Sequence, residues 1–241
     1  MPKYSLKRFI KKQILKVVSP QTQASYAQFG EDLIIDFFFS QQGIIKPTYL
    51  DVGANEPRFI SNTYFFYKKG STGVLIEPNP FLYKKLKAIR SKDLVLNCGI
   101  GFNELEEADF YIFPNHANGL NTFSKKEVEY WQEVGMKGLG KISIEKIIKM
   151  KLVPINTILA NYFDNKTPDI ISLDVEGLDF EILKSLDFEK YRPFLICVET
   201  LKYDETQNVY KNGEITELMI SKNYSVYADT RVNTIYCKND L

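Results

Sequence analysis

Residues 28–241 predict an α/β fold, a mostly parallel sheet with helices on both faces and an antiparallel hairpin at its C-terminal end. Three observations carry this. The short runs TYLDVG, GVLIEP, DLVLNCGI, DIISLDV and FLICVE are apolar almost throughout, as strands covered on both faces must be. Stretches of helical spacing lie between most of them, the alternation that builds parallel sheets. The last two strand-like runs, near 224–229 and 232–238, have only DTRV between them, too short for a crossover, so they pair antiparallel.

In chain order, EDLIIDFFFSQ is a helix packed ahead of the sheet, and TYLDVG the first strand. SNTYFFYKKG reads as a helix capped by Ser61 or Asn62 and stopped by Gly70. GVLIEP is the second strand, and NPFLYKKLKAIR a helix with Asn79 as N-cap and Pro80 at its first position. DLVLNCGI is the third strand. Residues 102–156 interrupt the alternation with a long polar loop and extra strands, an insertion of the kind that carries substrate contacts. DIISLDV and FLICVE are two further strands around the helix GLDFEILKSLDF, and EITELMISKN is the last helix.

A chain of 241 residues, 44% hydrophobic and 25% charged, suits one soluble domain. Its net charge of +1 gives no global field for nucleic acid, and no basic–aromatic patch or amino-methylating motif points there. Cys98, Cys197 and Cys237 lie far apart in apolar contexts and read as reduced thiols of a cytoplasmic protein. Residues 1–27 form a distinct N-terminal segment. Its first 18 residues hold six lysines and arginines and no acid, with Leu6, Phe9, Ile10, Ile14 and Val17 gathered on one helical side. Such a segment either packs as a solvated helix or lies on the anionic inner face of a membrane.

The loop YLDVGANEPRF begins as a cofactor-binding turn and then departs from the dinucleotide rule. Its third glycine never arrives, and Pro57 removes a backbone donor that a pyrophosphate would need. Asp51, Glu77, Asp174, Glu176 and Glu199 fall at strand ends, where open α/β sheets bind ligands. S-adenosylmethionine has no phosphate and carries a sulfonium and an ammonium, so it suits this acidic loop. Glu77 fits its ribose diol. A nicotinamide-dependent sugar oxidoreductase is the alternative on a similar sheet, and it fails at the loop.

The stretches QFGEDLII, YLDVGANEP, SNTYFFYKKG, GVLIEPNP, GLNTFS, ISLDVEGLDFEILKSLDF and RPFLICVE run in order from residue 28 to 199. Together they resemble the FkbM family of class I S-adenosylmethionine-dependent methyltransferases. The resemblance implies a Rossmann-like class I methyltransferase fold with a seven-stranded sheet. It implies that Asp51, Gly53 and Asn55 line the methionine side of the cofactor, that Glu77 binds ribose, and that Asp174 sits near the methyl donor. Asn79, which follows Glu77, joins this cofactor set. Pro57 stands where many members keep glycine. Family members generally methylate hydroxyls, often on sugars of surface glycans, so a small-molecule or glycan acceptor is expected.

Transfer to a hydroxyl needs alignment and a base for the proton. Alternation along SLDVEG places Asp174 and Glu176 on one side, with Glu176 as the candidate base and Asp174 orienting donor or acceptor. His116, the single histidine, is a second candidate base in the inserted loop. Glu199, Asn121 and Thr122, with Ser124, are candidate acceptor contacts. Asp174, Glu176 and Glu199 together can offer oxygen ligands to a divalent cation. Tyr130 and Trp131 read either as a sugar-stacking surface or as packing.

Overall fold

The computed structural model describes residues 23–136, 138, 140–204, 206 and 208–240. Most of the basic N-terminal segment therefore lies outside the described residues. Its elements are α1 (Glu31–Gln41), β1 (Tyr49–Val52), α2 (Tyr64–Lys69), β2 (Gly73–Ile76), α3 (Pro80–Ile89), β3 (Leu94–Leu96), β4 (Gly99–Gly101), β5 (Glu107–Ile112), α4 (Lys125–Glu133), β6 (Lys146–Pro154), α5 (Ile155–Tyr162), β7 (Ile170–Leu173), α6 (Asp179–Ser185), β8 (Leu195–Glu199), β9 (Leu201–Tyr203), β10 (Val209–Lys211), α7 (Gly213–Ser221), β11 (Tyr224–Asp229) and β12 (Asn233–Lys238).

The main sheet has seven strands in the order β11-β12-β8-β7-β1-β2-β3. The pairs β1–β2, β1–β7, β7–β8 and β2–β3 are parallel, and β12 runs antiparallel to both β8 and β11. The order reverses at β1, which lies between β7 and β2. That reversal opens a crevice beyond the strand ends, and it is where the site lies.

Period-two alternation explains why these strands are apolar on both faces. Leu50, Val52, Val74, Ile76, Ile171 and Leu173 face one way and pack with Ile155, Ile158 and Leu159 of α5, Ile182 and Leu183 of α6, and Ile215 and Met219 of α7. Tyr49, Leu75, Ile170 and Leu195 face the other way, onto Ile35, Phe38 and Phe39 of α1, Phe65 and Phe66 of α2, and Leu86 of α3. Among the described residues no helix is long and apolar enough to cross a membrane.

Four local expectations need correction. The helix after β1 starts at Tyr64 with Thr63 as N-cap, not at Ser61 or Asn62, although Ser61 Oγ accepts the Tyr64 N–H at 3.2 Å. The single strand expected over DLVLNCGI is two: β3 stays in the main sheet, while β4 leaves it to pair with β6. The main-chain break at Asn97 is held by its side-chain amide, which donates to the carbonyls of Glu77 and Pro78. A short hairpin, β9–β10, follows β8 where no strand was expected. Finally, β7 ends at Leu173, so Asp174 and Glu176 lie beyond the strand in a turn.

The inserted region forms a second sheet, β4-β6-β5, in which β5 and β6 are a long antiparallel pair from Glu107↔Lys151 to Ile112↔Lys146. A 3-10 turn, Asn115–Leu120, and α4 close over it. Phe113, Ala117, Leu120, Val128, Trp131 and Ile142 give this layer its own small core.

Candidate active site

A cavity of about 320 Å³ opens over the ends of β1, β2, β7 and β8, between the sheet and the inserted layer. That is within the size range of small-molecule sites. Its wall includes five carboxylates, Glu56, Glu77, Asp174, Glu176 and Glu199, and among the described lining residues no lysine, arginine or histidine. Glu56 is paired with Lys85 of α3, and the other four carboxylates leave the site suited to a ligand that brings positive charge.

The turn after β1 forms the floor. Gly53 has φ +80°, and a Cβ there would stand 1.8 Å from the Asp174 carbonyl oxygen, so the β1 and β7 turns meet only because residue 53 is glycine. The amides of Gly53 and Ala54 both donate to the Ile76 carbonyl, at 3.0 and 3.1 Å, and that of Asn55 donates to Glu77 Oε2 at 2.8 Å. Pro57 has no N–H to give. The first amides of this turn are thus already taken by protein acceptors.

Glu77 is 3% exposed at the end of β2. Its two oxygens accept the N–H groups of Asn55 and Asn79, both at 2.8 Å. Burial nevertheless pushes its pKa up to about 7, against those two hydrogen bonds. Each oxygen retains acceptor capacity beyond the bond it already takes, and the residue lines the cavity. Asn79 serves the helix: its Oδ1 accepts from the amides of Phe81 and Leu82, and it lies outside the cavity wall.

Asp51 is also outside the wall. Its carboxylate is buried beneath the turn, receives the Thr63 hydroxyl at 2.5 Å, and burial raises its pKa. Thr63 Oγ1 in turn accepts from Arg90, which is fully buried and paired with Asp93 at 2.7 Å. Asp51 thus anchors the turn from below. The expectation that it faces the ligand gives way to a supporting position, because period two sends residue 51 to the face opposite Leu50 and Val52.

Asp174, Glu176 and Glu199 converge. One oxygen from each lies within 4.8 Å of the other two. The reason is the turn and not strand alternation: Glu176 has φ +56° and Gly177 φ +99°. A Cβ on Gly177 would meet Glu127 Cγ at 2.7 Å, so this turn too needs glycine. Burial and mutual repulsion raise all three pKa values, Asp174 to about 6 and Glu176 and Glu199 well above the usual carboxylate range. Three close carboxylates of this kind can share protons, receive a cationic ligand, or offer oxygens to a divalent cation.

The inserted layer contributes Asn118, Gly119, Leu120, Asn121, Phe123, Trp131 and Met136 to the wall. Asn121 Oδ1 accepts the Phe113 N–H at 2.9 Å. Thr122 is buried and faces inward: its hydroxyl donates to the Glu176 carbonyl at 2.8 Å and accepts the Ser124 N–H at 2.8 Å. It positions the turn and does not line the cavity. Ser124 caps α4. His116 is exposed in the 3-10 turn and lines neither the cavity nor its mouth, so the structure does not bring the histidine to the carboxylates. Trp131 is buried yet lines the cavity, with Tyr203 of β9 edge-on to it at 5.6 Å. Tyr203 was not foreseen: it follows the β8 strand end by four residues, in a hairpin with no strong turn signal.

The sequence profile of the methyltransferase FkbM domain matches residues 51–226, and the chain belongs to the FkbM methyltransferase family. No curated protein sequence matches it. Among solved structures it is similar to a TehB-like SAM-dependent methyltransferase from Corynebacterium glutamicum, at 10% identity and TM-score 0.42, covering 99% of this chain and 100% of that one. An O-methyltransferase from Bacillus cereus in complex with SAH is similar at 9% identity and TM-score 0.44, with 98% and 90% covered. The 1,6-didemethyltoxoflavin-N1-methyltransferase of Burkholderia thailandensis is similar at 13% identity and TM-score 0.38, with 91% and 94% covered.

Proposed function

We propose that the protein transfers a methyl group from S-adenosylmethionine to a hydroxyl of a sugar-bearing acceptor. The observation that carries the cofactor is the cavity wall, where Glu77, Asp174, Glu176 and Glu199 have no lining cation beside them and Glu56 is already paired with Lys85, above a turn whose first amides are already bonded. A pyrophosphate would meet negative charge and find the first three amides of that turn already taken; a sulfonium and an ammonium meet complementary charge. This argues against the nicotinamide reading. Glu77 would hold the ribose diol, Gly53 and Asn55 the methionine side, and the apolar stretch of Ile76, Pro78, Gly99 and Phe123 the adenine. The cofactor supplies a methyl carbon already activated by its sulfonium.

The chain's own residues align the acceptor and receive its proton. Glu176, partly exposed in the wall and raised in pKa, is the base, with Glu199 and Asp174 able to share the proton it accepts. The aromatic wall of Trp131 and Tyr203 beside these carboxylates supports a pyranose ring as the acceptor, since sugars pair apolar ring faces with hydroxyls that carboxylates bind. Titration calorimetry with S-adenosylmethionine and with NAD tests the cofactor, and radiolabelled methyl transfer to glycan fractions tests the acceptor. Binding of NAD alone would overturn the first assignment; transfer to non-carbohydrate hydroxyls only would overturn the second.

A further inference from the structure

Three segments meet at the mouth of the cavity: residues 23–29, 57–61 and 230–233. Each gives the wall a residue, Gln28, Phe59 with Ile60, and Val232. They are tied together by groups the chemistry does not use. Glu31, fully buried, accepts from the Phe29 amide, the Thr230 hydroxyl and the Asn233 amide at 2.9, 2.6 and 3.0 Å. Asp32, also fully buried, accepts from the Ser25 hydroxyl and the Tyr26 amide, both at 2.6 Å. The Ser61 amide donates to the Tyr26 carbonyl at 2.9 Å.

This rim is apolar and basic at once. Phe59 is 70% exposed, Phe29 55% and Ile60 47%. Ile60 also holds φ +52°, a strained conformation for a β-branched residue, so the loop displays its side chain without gaining burial. Arg58 and Arg231 are exposed beside them. The acids of the rim are spoken for: Glu31 and Asp32 as above, and Asp229 by Lys211 at 2.7 Å. The chain that enters the rim at residue 23 is preceded by 22 residues with six lysines and arginines and no acid.

We propose that the cavity mouth is a docking face for an anionic lipid bilayer, with Phe29, Phe59 and Ile60 entering the headgroup region. Apolar side chains accompanied by two exposed arginines, on a chain continuous with a basic segment, match that surface in both polarity and charge. Docked so, the cavity takes its acceptor directly from the membrane face. The proposal stands apart from the identity of the cofactor and of the acceptor hydroxyl, and its test reads lipid binding alone.

The full chain is sedimented with vesicles of phosphatidylcholine containing phosphatidylglycerol, and with phosphatidylcholine alone, at low and high salt. Binding is expected only to the anionic vesicles, and to weaken with salt. The triple variant Phe29→Ser, Arg58→Gln, Arg231→Gln replaces no residue of the cavity wall. It is expected to lower partitioning by more than about tenfold. Equal binding of both vesicle types, no binding, or wild-type binding by the triple variant would each overturn the proposal, the last by assigning attachment to residues 1–22 alone. A second reading does not depend on the stability of that variant. Phe59→Trp adds a rim reporter to the buried Trp131, and its emission should shift to the blue with anionic vesicles; an unshifted spectrum sinks the idea.

Discussion

The side-chain hydroxyl of Thr122 donates a 2.8 Å hydrogen bond to the main-chain carbonyl of Glu176, so the inserted layer holds the carboxylate turn of the main sheet. Glu176 sits there with φ +56°, a conformation that costs a non-glycine residue about 1–2 kcal/mol. Thr122→Val removes this bond and the one its oxygen accepts from the Ser124 N–H, while keeping the shape. We expect methyl transfer to slow by about tenfold with little change in cofactor affinity, the loss of two hydrogen bonds at a site where alignment matters. Thr122→Ser should restore the rate. Single-turnover transfer with saturating cofactor separates the two; a slowed serine variant would show that the role is packing.

Glu176→Gln keeps the shape but accepts no proton. It should lower single-turnover transfer by about two to four decades, the scale of a lost general base. His116→Ala should change the rate by no more than about twofold, as for other exposed positions. A dead His116 variant beside an active Glu176→Gln would move the chemistry to the inserted loop.

Glu77→Ala removes the acceptor of two backbone N–H groups as well as the ribose contact. We expect S-adenosylmethionine affinity to fall by about one to two decades, and stability by about 1–3 kcal/mol for the stranded donors. Asp51→Ala acts differently, through the turn it anchors by way of Thr63. It should weaken the cofactor less than Glu77→Ala does. Calorimetry ranks the two; the reverse order would place Asp51 in contact with the ligand.

Gly53→Ala tests the meeting of the two turns. A Cβ 1.8 Å from the Asp174 carbonyl, at φ +80°, forces the turns apart. The loss should be about 3 kcal/mol or more, combining overpacking with backbone strain. Chemical denaturation measures it, and a near-neutral variant would mean that the turns separate freely.

The acids of the site predict two opposite pH dependences. Burial pushes the pKa of Glu77 up to about 7 and that of Asp174 up to about 6, and that of Asp179, buried at the start of α6 behind the carboxylate turn, up to about 7. The folded protein therefore binds protons more tightly than the unfolded chain. Without cofactor its stability is full below the ordinary carboxylate range and falls as pH rises through about 7. Cofactor binding has the other sign: a cation favours ionised carboxylates, so S-adenosylmethionine should bind more tightly as pH rises through the same window and release protons. Calorimetry in buffers of different ionisation enthalpy measures that release, which should be smaller for the neutral thioether product. Equal release by both would mean that the sulfonium does not lie near the acids. A profile displaced by added magnesium would assign the three close oxygens of Asp174, Glu176 and Glu199 to a metal.

The sequence by itself determined the sheet, the hairpin end and the acids at the strand ends, because these rest on short-range signals. Short apolar runs, helices capped by Asn79 or stopped by Gly70, and a three-residue link between the last strands leave few alternatives. Only the tertiary structure decided which of those acids face one another. Asp174 and Glu176 converge with Glu199 through a left-handed turn that alternation does not foresee, and the turn persists because Gly53, Gly177 and Thr122, from three distant parts of the chain, make room for it or hold it. The same holds for Tyr203, carried to the cavity by a hairpin of weak local signal. Local pattern fixes which face a residue takes within its element; contact between elements fixes what it meets there.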